Sequence, residues 1–183
     1  MSKMVFKSLL ILMVISFFAL NIYAQDMVFK YVGTKNCKMC HSSKKSGEAY
    51  KIWESSAHAT AYATLASEES KAIAKEMGID DAQKSDQCLS CHVTGHGKEA
   101  SMFEKGYSME EGVTCEACHG PGSEYNPMKI MKQITAGEVK GADYGLVVPD
   151  EASCKSCHNE KSPTFKGFTF KEYVAKIAHP TPE

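Results

Sequence analysis

The sequence predicts a single compact domain that is mainly α-helical, with long loops between its helices. Two observations on the 183-residue chain support this prediction. Apolar residues recur at helical spacing in several segments, and only a short run over residues 27–32 has the character of a strand. All eight cysteines also fall into four copies of one short motif, and helices and loops must bring those copies together.

The first predicted helix runs from Ser46 to Leu65, with apolar residues at successive i+4 positions. The next covers Glu68 to Met77 and stops at Gly78, a residue suited to the left-handed conformation after a helix end. Asp80 or Asp81 is then expected to cap the helix that carries the second motif.

Four signals describe the second half of the chain. Ser108 and Glu111 have the spacing of a capping box, although Gly112 interrupts it. Asn126 and Pro127 resemble an N-cap and a first-turn proline, which predicts a helix to about Ile134. Further helix signals are a cap at Asp150 before the fourth motif and an apolar face over 168–178.

The repeated motif is Cys-x-x-Cys-His, and its four copies contain every cysteine of the chain. Two thiols at this spacing can add to the two vinyl groups of one haem, and the adjacent imidazole can then bind the iron. Each copy is therefore predicted to attach one c-type haem. The predicted attachment residues are Cys37, Cys40, Cys88, Cys91, Cys115, Cys118, Cys154 and Cys157. The predicted iron ligands are His41, His92, His119 and His158.

Other cysteine chemistries fit this pattern poorly. Zinc ribbons, redox-active dithiols and disulfide frameworks also use paired cysteines, but none requires a histidine directly after the second cysteine. For a chain with seven histidines, four such placements by chance have a probability on the order of 10⁻⁶. The motif spacings of 51, 27 and 39 residues are unequal, so the copies do not indicate a solenoid.

The amino terminus has the features of a secretory signal peptide. Lys3 and Lys7 precede a largely apolar run from Leu9 to Leu20, and Ala24 offers a small residue at a cleavage point. We predict a signal peptide over 1–24 and a tetrahaem domain over 25–183, exported to the periplasm or to the outer surface. The alternative is an uncleaved segment that anchors the protein in a membrane.

Removal of 1–24 leaves 159 residues for four haems, or roughly forty residues per haem. So dense a set of macrocycles must supply much of the apolar core, with the helices and long loops wrapped around it. The same cleavage removes two lysines and changes the formal charge from −1 to −3, and the chain has no arginine. This charge gives no reason to expect nucleic acid as a partner. Lysines near the first motif could guide a redox protein or form a solvated face: Lys35, Lys38, Lys44 and Lys45.

Three histidines lie outside the motifs, and each is a candidate for the second axial position of an iron: His58, His96 and His179. His96 is four residues beyond His92, so the two cannot bind opposite faces of one haem. Because there are four irons and three such histidines, one iron is expected to be five-coordinate or to take another ligand.

Several blocks of this sequence resemble the tetrahaem cytochrome c-554 family. They are Tyr31-Val32-Gly33, Trp53-x-x-Ser56-x-His58-Ala59, Cys88-x-x-Cys91-His92-Val93-Thr94-Gly95, the segment from Gly112 to Ser123, and the closing stretch from Ser162 to Pro180. The resemblance implies a mainly helical multihaem electron carrier with closely spaced haems. It also implies a haem arrangement shared with hydroxylamine oxidoreductase and cytochrome c nitrite reductase, and one haem without a strong sixth ligand. Relatives often carry a histidine where this chain has Tyr125. The haem without a strong sixth ligand is therefore either open or bound by Met128, by His96 or by a residue of another subunit.

These observations predict an electron-transfer protein that passes electrons between redox partners in a respiratory chain, rather than an enzyme. Bis-histidine ligation generally gives lower potentials than histidine–methionine ligation, which favours a low-potential chain of haems. Two alternatives stay open. A five-coordinate haem could turn over NO, nitrite or hydroxylamine, or the chain could be a subunit of an extracellular haem filament.

Overall fold

The computed structural model describes residues 28–180, so the predicted signal peptide over 1–24 lies outside the described part. The α-helices of that part are short and are joined by loops and single 3₁₀ turns. In chain order they are α1 (Thr34–His41), α2 (Ala49–Glu54), α3 (Ala61–Thr64), α4 (Glu68–Glu76), α5 (Asp86–His92), α6 (Cys115–His119), α7 (Met128–Thr135), α8 (Glu151–Lys155) and α9 (Phe170–Val174). The 3₁₀ turns are Lys44–Ser46, Ala100–Met102, Met109–Glu111 and Gly141–Tyr144.

The prediction of a mainly α-helical fold is confirmed. The predicted strand is reduced to one parallel bridge between Tyr31 and Phe103 among residues 28–180. The Tyr31 amide donates to the Met102 carbonyl over 2.8 Å, and the Glu104 amide donates to the Tyr31 carbonyl over 2.8 Å. This bridge fixes the chain just before α1.

The single helix predicted from Ser46 to Leu65 is wrong, because the chain forms α2 and α3 with turns between them. Ser55 and Ser56 lie at the break, and their hydroxyls donate to backbone carbonyls over 2.6 and 2.7 Å. Such side-chain bonds compete with helical hydrogen bonding. The His58 carbonyl also accepts from the Val113 amide over 3.0 Å, a contact that a continuous helix would not offer. His58 therefore lies in a turn.

Helix α4 confirms the prediction for 68–77. The Ser67 hydroxyl caps its first turn, and Gly78 follows its end with φ of 69°. The predicted aspartate cap of the second-motif helix is wrong, since α5 begins after Ser85. The Asp81 carboxylate instead accepts from the Gln83 amide over 3.0 Å within the preceding turn.

In the second half, Asp150 caps α8 as predicted, with its carboxylate accepting from the Ser153 amide over 2.8 Å. Helix α7 begins one residue later than predicted, with Pro127 as its N-cap residue. Helix α9 is shorter than the predicted span 168–178 because turns replace its last part. The capping box at Ser108 does not form, since Glu111 bonds to Thr34 in α1 instead.

The buried apolar core of the described chain is small. Its main group, called here the apolar cluster, consists of Leu65, Ala74, Ala82, Leu89 and Val93. Tyr62, Ile79 and Cys88 pack against it. The cluster fixes α5, and with it the second motif. Between residues 28 and 180, no helix has the length and apolar character needed to cross a bilayer.

Candidate haem centres

Each motif lies on a helix or at its end. The first three occupy α1, α5 and α6, and each of these helices ends at the motif histidine. In α8 only Cys154 is helical, and Cys157 and His158 lie in the following turn. Helical residues three apart face the same side, so both thiols of a motif point towards one ligand.

Two motif histidines are oriented by backbone carbonyls. His92 Nδ1 lies 2.7 Å from the Ala61 carbonyl oxygen, and His119 Nδ1 lies 3.1 Å from that of Val147. A carbonyl can only accept, so Nδ1 carries the proton in both rings and Nε2 keeps its lone pair. Metal-bound histidines are commonly held in this way by the second ring nitrogen. The orientation fits axial ligands of a haem iron.

The structure places His58 and His179 beside motif histidines. The ring centroids of His58 and His158 are 6.1 Å apart, and those of His119 and His179 are 5.8 Å apart. Burial lowers the pKa of His58, and the neighbouring His158 lowers it further. The pKa of His119 is lowered mainly by burial. A lowered pKa favours the neutral imidazole, which is the form that binds a metal.

His96 is placed differently from the other two candidates. Its Nε2 lies 2.9 Å from the Asp86 carboxylate, at the start of α5. The Asp86 side chain is exposed, and the His96 ring is partly exposed. The structure thus brings two of the three candidate histidines to motif histidines and puts the third against an aspartate.

The thiols of different motifs also meet. The Cys37 thiol lies beside that of Cys115, an interaction that raises the pKa of Cys37 and lowers that of Cys115. Cys157 lies beside Cys91, and its pKa is raised mainly by burial. Cys118 lies within electrostatic reach of Cys154 and Cys157. The four sites therefore follow one another in space in the order first, third, fourth, second.

An open cavity of about 510 Å³ lies beside the fourth motif. Phe168 stacks on His158 with a centroid distance of 5.3 Å, and Phe165 also lines the cavity. Tyr173 meets the same imidazole edge-on at 5.1 Å. A motif histidine beside an aromatic-walled space fits a bound macrocycle. A second cavity of about 630 Å³, between α4 and the loop 78–83, is lined by no motif residue.

A buried carboxylate joins the first and third motifs. Glu116 in α6 is 3% exposed and accepts from the amides of Val32, Gly33 and Gly122 over 2.9, 2.9 and 2.7 Å. We call this arrangement the Glu116 clamp. Burial raises the pKa of Glu116, although the three amide donors act to lower it. The clamp fixes the segment that leads into α1.

Sequence reasoning missed Glu116 as a structural residue. The only local signal was a carboxylate between the two cysteines of a motif, a place where the other copies carry lysine, leucine, methionine or serine. A second carboxylate supports the clamp, since Glu111 accepts from the amide and the hydroxyl of Thr34 over 3.1 and 2.7 Å. Two acidic side chains thus hold one short segment.

Tyr125 occupies the position where the resemblance suggests a histidine. Its ring is buried, and its hydroxyl donates to the Gly120 carbonyl over 2.8 Å. Burial raises its pKa, and the nearby Cys37 raises it further. Met128, the other substitute considered, is 61% exposed at the start of α7.

Comparison with known proteins finds similarity to cytochrome c554. A family described as "Cytochrome c554 and c-prime" matches residues 36–120. Cytochrome c-554 of Nitrosomonas europaea is 29% identical over 160 residues, which cover 79% of this chain. The chain spans 63% of the length of that relative.

The solved structure of reduced cytochrome c554 from the same organism superimposes with a TM-score of 0.57 at 26% identity. The match covers 84% of this chain and 86% of the solved one. The fold, the motifs and the relatives agree on the cofactor, which is haem c at four sites. In its motifs, its sequence and its fold the chain resembles the tetrahaem cytochrome c554.

Proposed function

We propose that the protein is a periplasmic tetrahaem cytochrome that transfers electrons between redox partners in a respiratory chain. The observation that carries this proposal is the proximity of the four motifs in one linear order. Bound haem c supplies reversible one-electron chemistry, and the protein sets its spacing and environment. Sites whose thiols lie this close would hold their haems within electron-tunnelling reach.

The histidine pairs support axial ligation on both faces of two haems. Two imidazoles bound to opposite faces of one metal, each about 2 Å from it, have ring centroids about 6 Å apart. The observed 6.1 and 5.8 Å agree with this spacing. We therefore assign His58 with His158 to the fourth iron, and His179 with His119 to the third.

The first site offers an entry or exit for electrons. Met39, between its two cysteines, is 78% exposed. Lysines around it are exposed as well: Lys35, Lys38, Lys44 and Lys45. An exposed haem edge ringed by lysine suits a redox protein with an acidic surface, because complementary charge speeds association. The second site lies at the other end of the order and serves the opposite step.

The pyridine haemochrome assay and stopped-flow spectroscopy test this function on the purified holoprotein. We expect four haems per chain and complete reduction and reoxidation by small redox mediators at low potentials. His58→Ala and His179→Ala should each convert one low-spin haem to high spin and leave the haem count at four. A holoprotein with fewer than four haems, or one whose haems do not exchange electrons, would refute the proposal.

A second candidate function concerns small-molecule chemistry at the second site. His92 is oriented through Nδ1, but neither His58 nor His179 lies beside it, and His96 lies against Asp86. The iron at His92 can therefore be five-coordinate and bind NO, nitrite or hydroxylamine. Turnover of these molecules by the reduced protein would support an enzymatic function. Binding without turnover would support electron transfer as the only function of the two.

A further inference from the structure

The surroundings of His41 point to a further ligand site at the opposite end of the haem order from His92. All seven histidines lie within the described residues. Two motif histidines, His158 and His119, have the ring centroid of a second imidazole at 6.1 and 5.8 Å. His41 has no such partner at that distance in the described chain, so its distal side depends on the few side chains that remain.

His179 is the one histidine that could serve either the first or the third iron. Its charge acts on the pKa of both His41 and His119, so it lies near both rings. Only its separation of 5.8 Å from His119 matches trans ligation of one metal. One imidazole can bind one iron, so this pairing leaves the first iron without His179.

The backbone next to His179 is held in this position. Gly47, in the turn after the first motif, packs so closely against the Pro180 carbonyl that a side chain at position 47 would overlap it. Gly47 also has φ of 77°, which favours glycine. The segment that contains His179 and Pro180 therefore passes the first site, while the His179 ring faces His119 of the third site.

The other side chains considered for the first iron are engaged or point away. The Tyr125 hydroxyl donates to the Gly120 carbonyl, so the phenol is not free to bind a metal as an oxyanion. Met128 is 61% exposed, and His96 contacts Asp86. Tyr125 is nevertheless buried and lies near Cys37, which gives the first site an aromatic wall.

We propose that the iron at His41 takes no protein ligand on its distal face and binds a small exogenous ligand there. The ligand class is that of five-coordinate haems, namely neutral diatomics such as CO and NO on the ferrous iron and small anions such as cyanide on the ferric iron. Binding forms one iron–ligand bond and transfers no electron. This inference rests on the proposed tetrahaem electron carrier and adds that both ends of its haem order are open, with the two bis-histidine sites between them.

A CO titration of the reduced holoprotein tests this proposal. Monomer isolated by size exclusion is used, so that no second chain supplies a ligand. We expect four haems by pyridine haemochrome and two CO bound per chain. One CO or none would overturn the proposal, whereas a haem count below four would contradict the tetrahaem function instead.

A matched pair of double variants locates the ligand. Cys37→Ala/Cys40→Ala removes the first haem and should give three haems and one CO per chain. Cys154→Ala/Cys157→Ala removes a bis-histidine haem and should give three haems and two CO. Two CO in the first variant would overturn the assignment to His41. If the variants do not fold, the wild-type count still decides, because a single CO is too few for two open irons.

Discussion

The first and third sites are joined by buried polar groups, whereas the second site rests on apolar packing. In the Glu116 clamp a carboxylate receives three backbone amides. Thr94 and Thr114 form a separate buried hydroxyl pair, 3.0 Å apart, between the segment after the second motif and the start of the third. In the apolar cluster, small and branched side chains pack around Leu89 of α5. Hydrogen bonds are directional and packing is not, so the clamp fixes orientation while the cluster supplies burial.

This difference matters for a multihaem protein. The Cys37 and Cys115 sites touch, so a small rotation of α1 against α6 would change the separation of two haems. A network with fixed donors and acceptors resists such a rotation. The second site lies at an end of the order and tolerates adjustment, because apolar cores accept changes of shape that keep their volume.

Glu116→Ala should have the largest effect of the changes considered. It leaves three buried amides without an acceptor, and each buried donor left unsatisfied costs about 1–3 kcal/mol of unfolding free energy. Denaturant unfolding of the oxidised holoprotein measures the loss. The exposed Glu54→Ala is the matched control and should change stability by less than about 0.5 kcal/mol. Equal effects of the two substitutions would show that the clamp is not structural.

Leu89→Ala should destabilise the protein by about 2–4 kcal/mol, since Leu89 is 4% exposed and its removal opens a cavity in the apolar cluster. Leu89→Met conserves volume and should cost less than about 1.5 kcal/mol. The same unfolding assay compares them. If Leu89→Met lowered the free energy of unfolding as much as Leu89→Ala, the apolar cluster would depend on exact side-chain shape. The contrast between the apolar cluster and the Glu116 clamp would then be wrong.

Thr94→Val should cost about 1–3 kcal/mol, because the buried Thr114 amide loses the hydroxyl that accepts from it over 2.7 Å. Thr114→Val removes only its own hydroxyl bond and should cost about 1 kcal/mol. Thermal unfolding of the holoprotein measures both. If Thr114→Val proved the more harmful, the amide bond would not be the important member of the pair.

The smallest effect expected is a pH dependence that belongs to the clamp. The pKa of Glu116 is raised by burial, so the folded state holds its proton more tightly than the unfolded chain does. The contribution of Glu116 to the free energy of unfolding is therefore fully present below the ordinary glutamate pKa of about 4.3. It is lost as the pH rises through the raised pKa of the folded state. The stability of the wild type relative to Glu116→Gln should fall over this window. A relative stability that rises with pH would show that the three amides outweigh burial.

The haem attachment sites could be predicted from the sequence because covalent attachment needs residues at fixed local spacing. The Asp150 cap was predictable for the same reason, since its acceptor and donor lie three residues apart. The helix over 46–65 was not, because its break depends on the contact of His58 with Val113. The Glu116 clamp could not be predicted from the sequence either, since its amide partners Val32 and Gly33 lie more than eighty residues away along the chain.

That separation has a consequence for the order of events during synthesis. Val32 precedes the first motif, and the carboxylate that receives its amide comes 84 residues later. At the usual pace of translation, about 5–20 residues per second, the nascent chain waits roughly 4–17 s between the two. During this interval the segment that leads into the first motif exists without the carboxylate that fixes it. The first motif is thus synthesised well before its clamp can form.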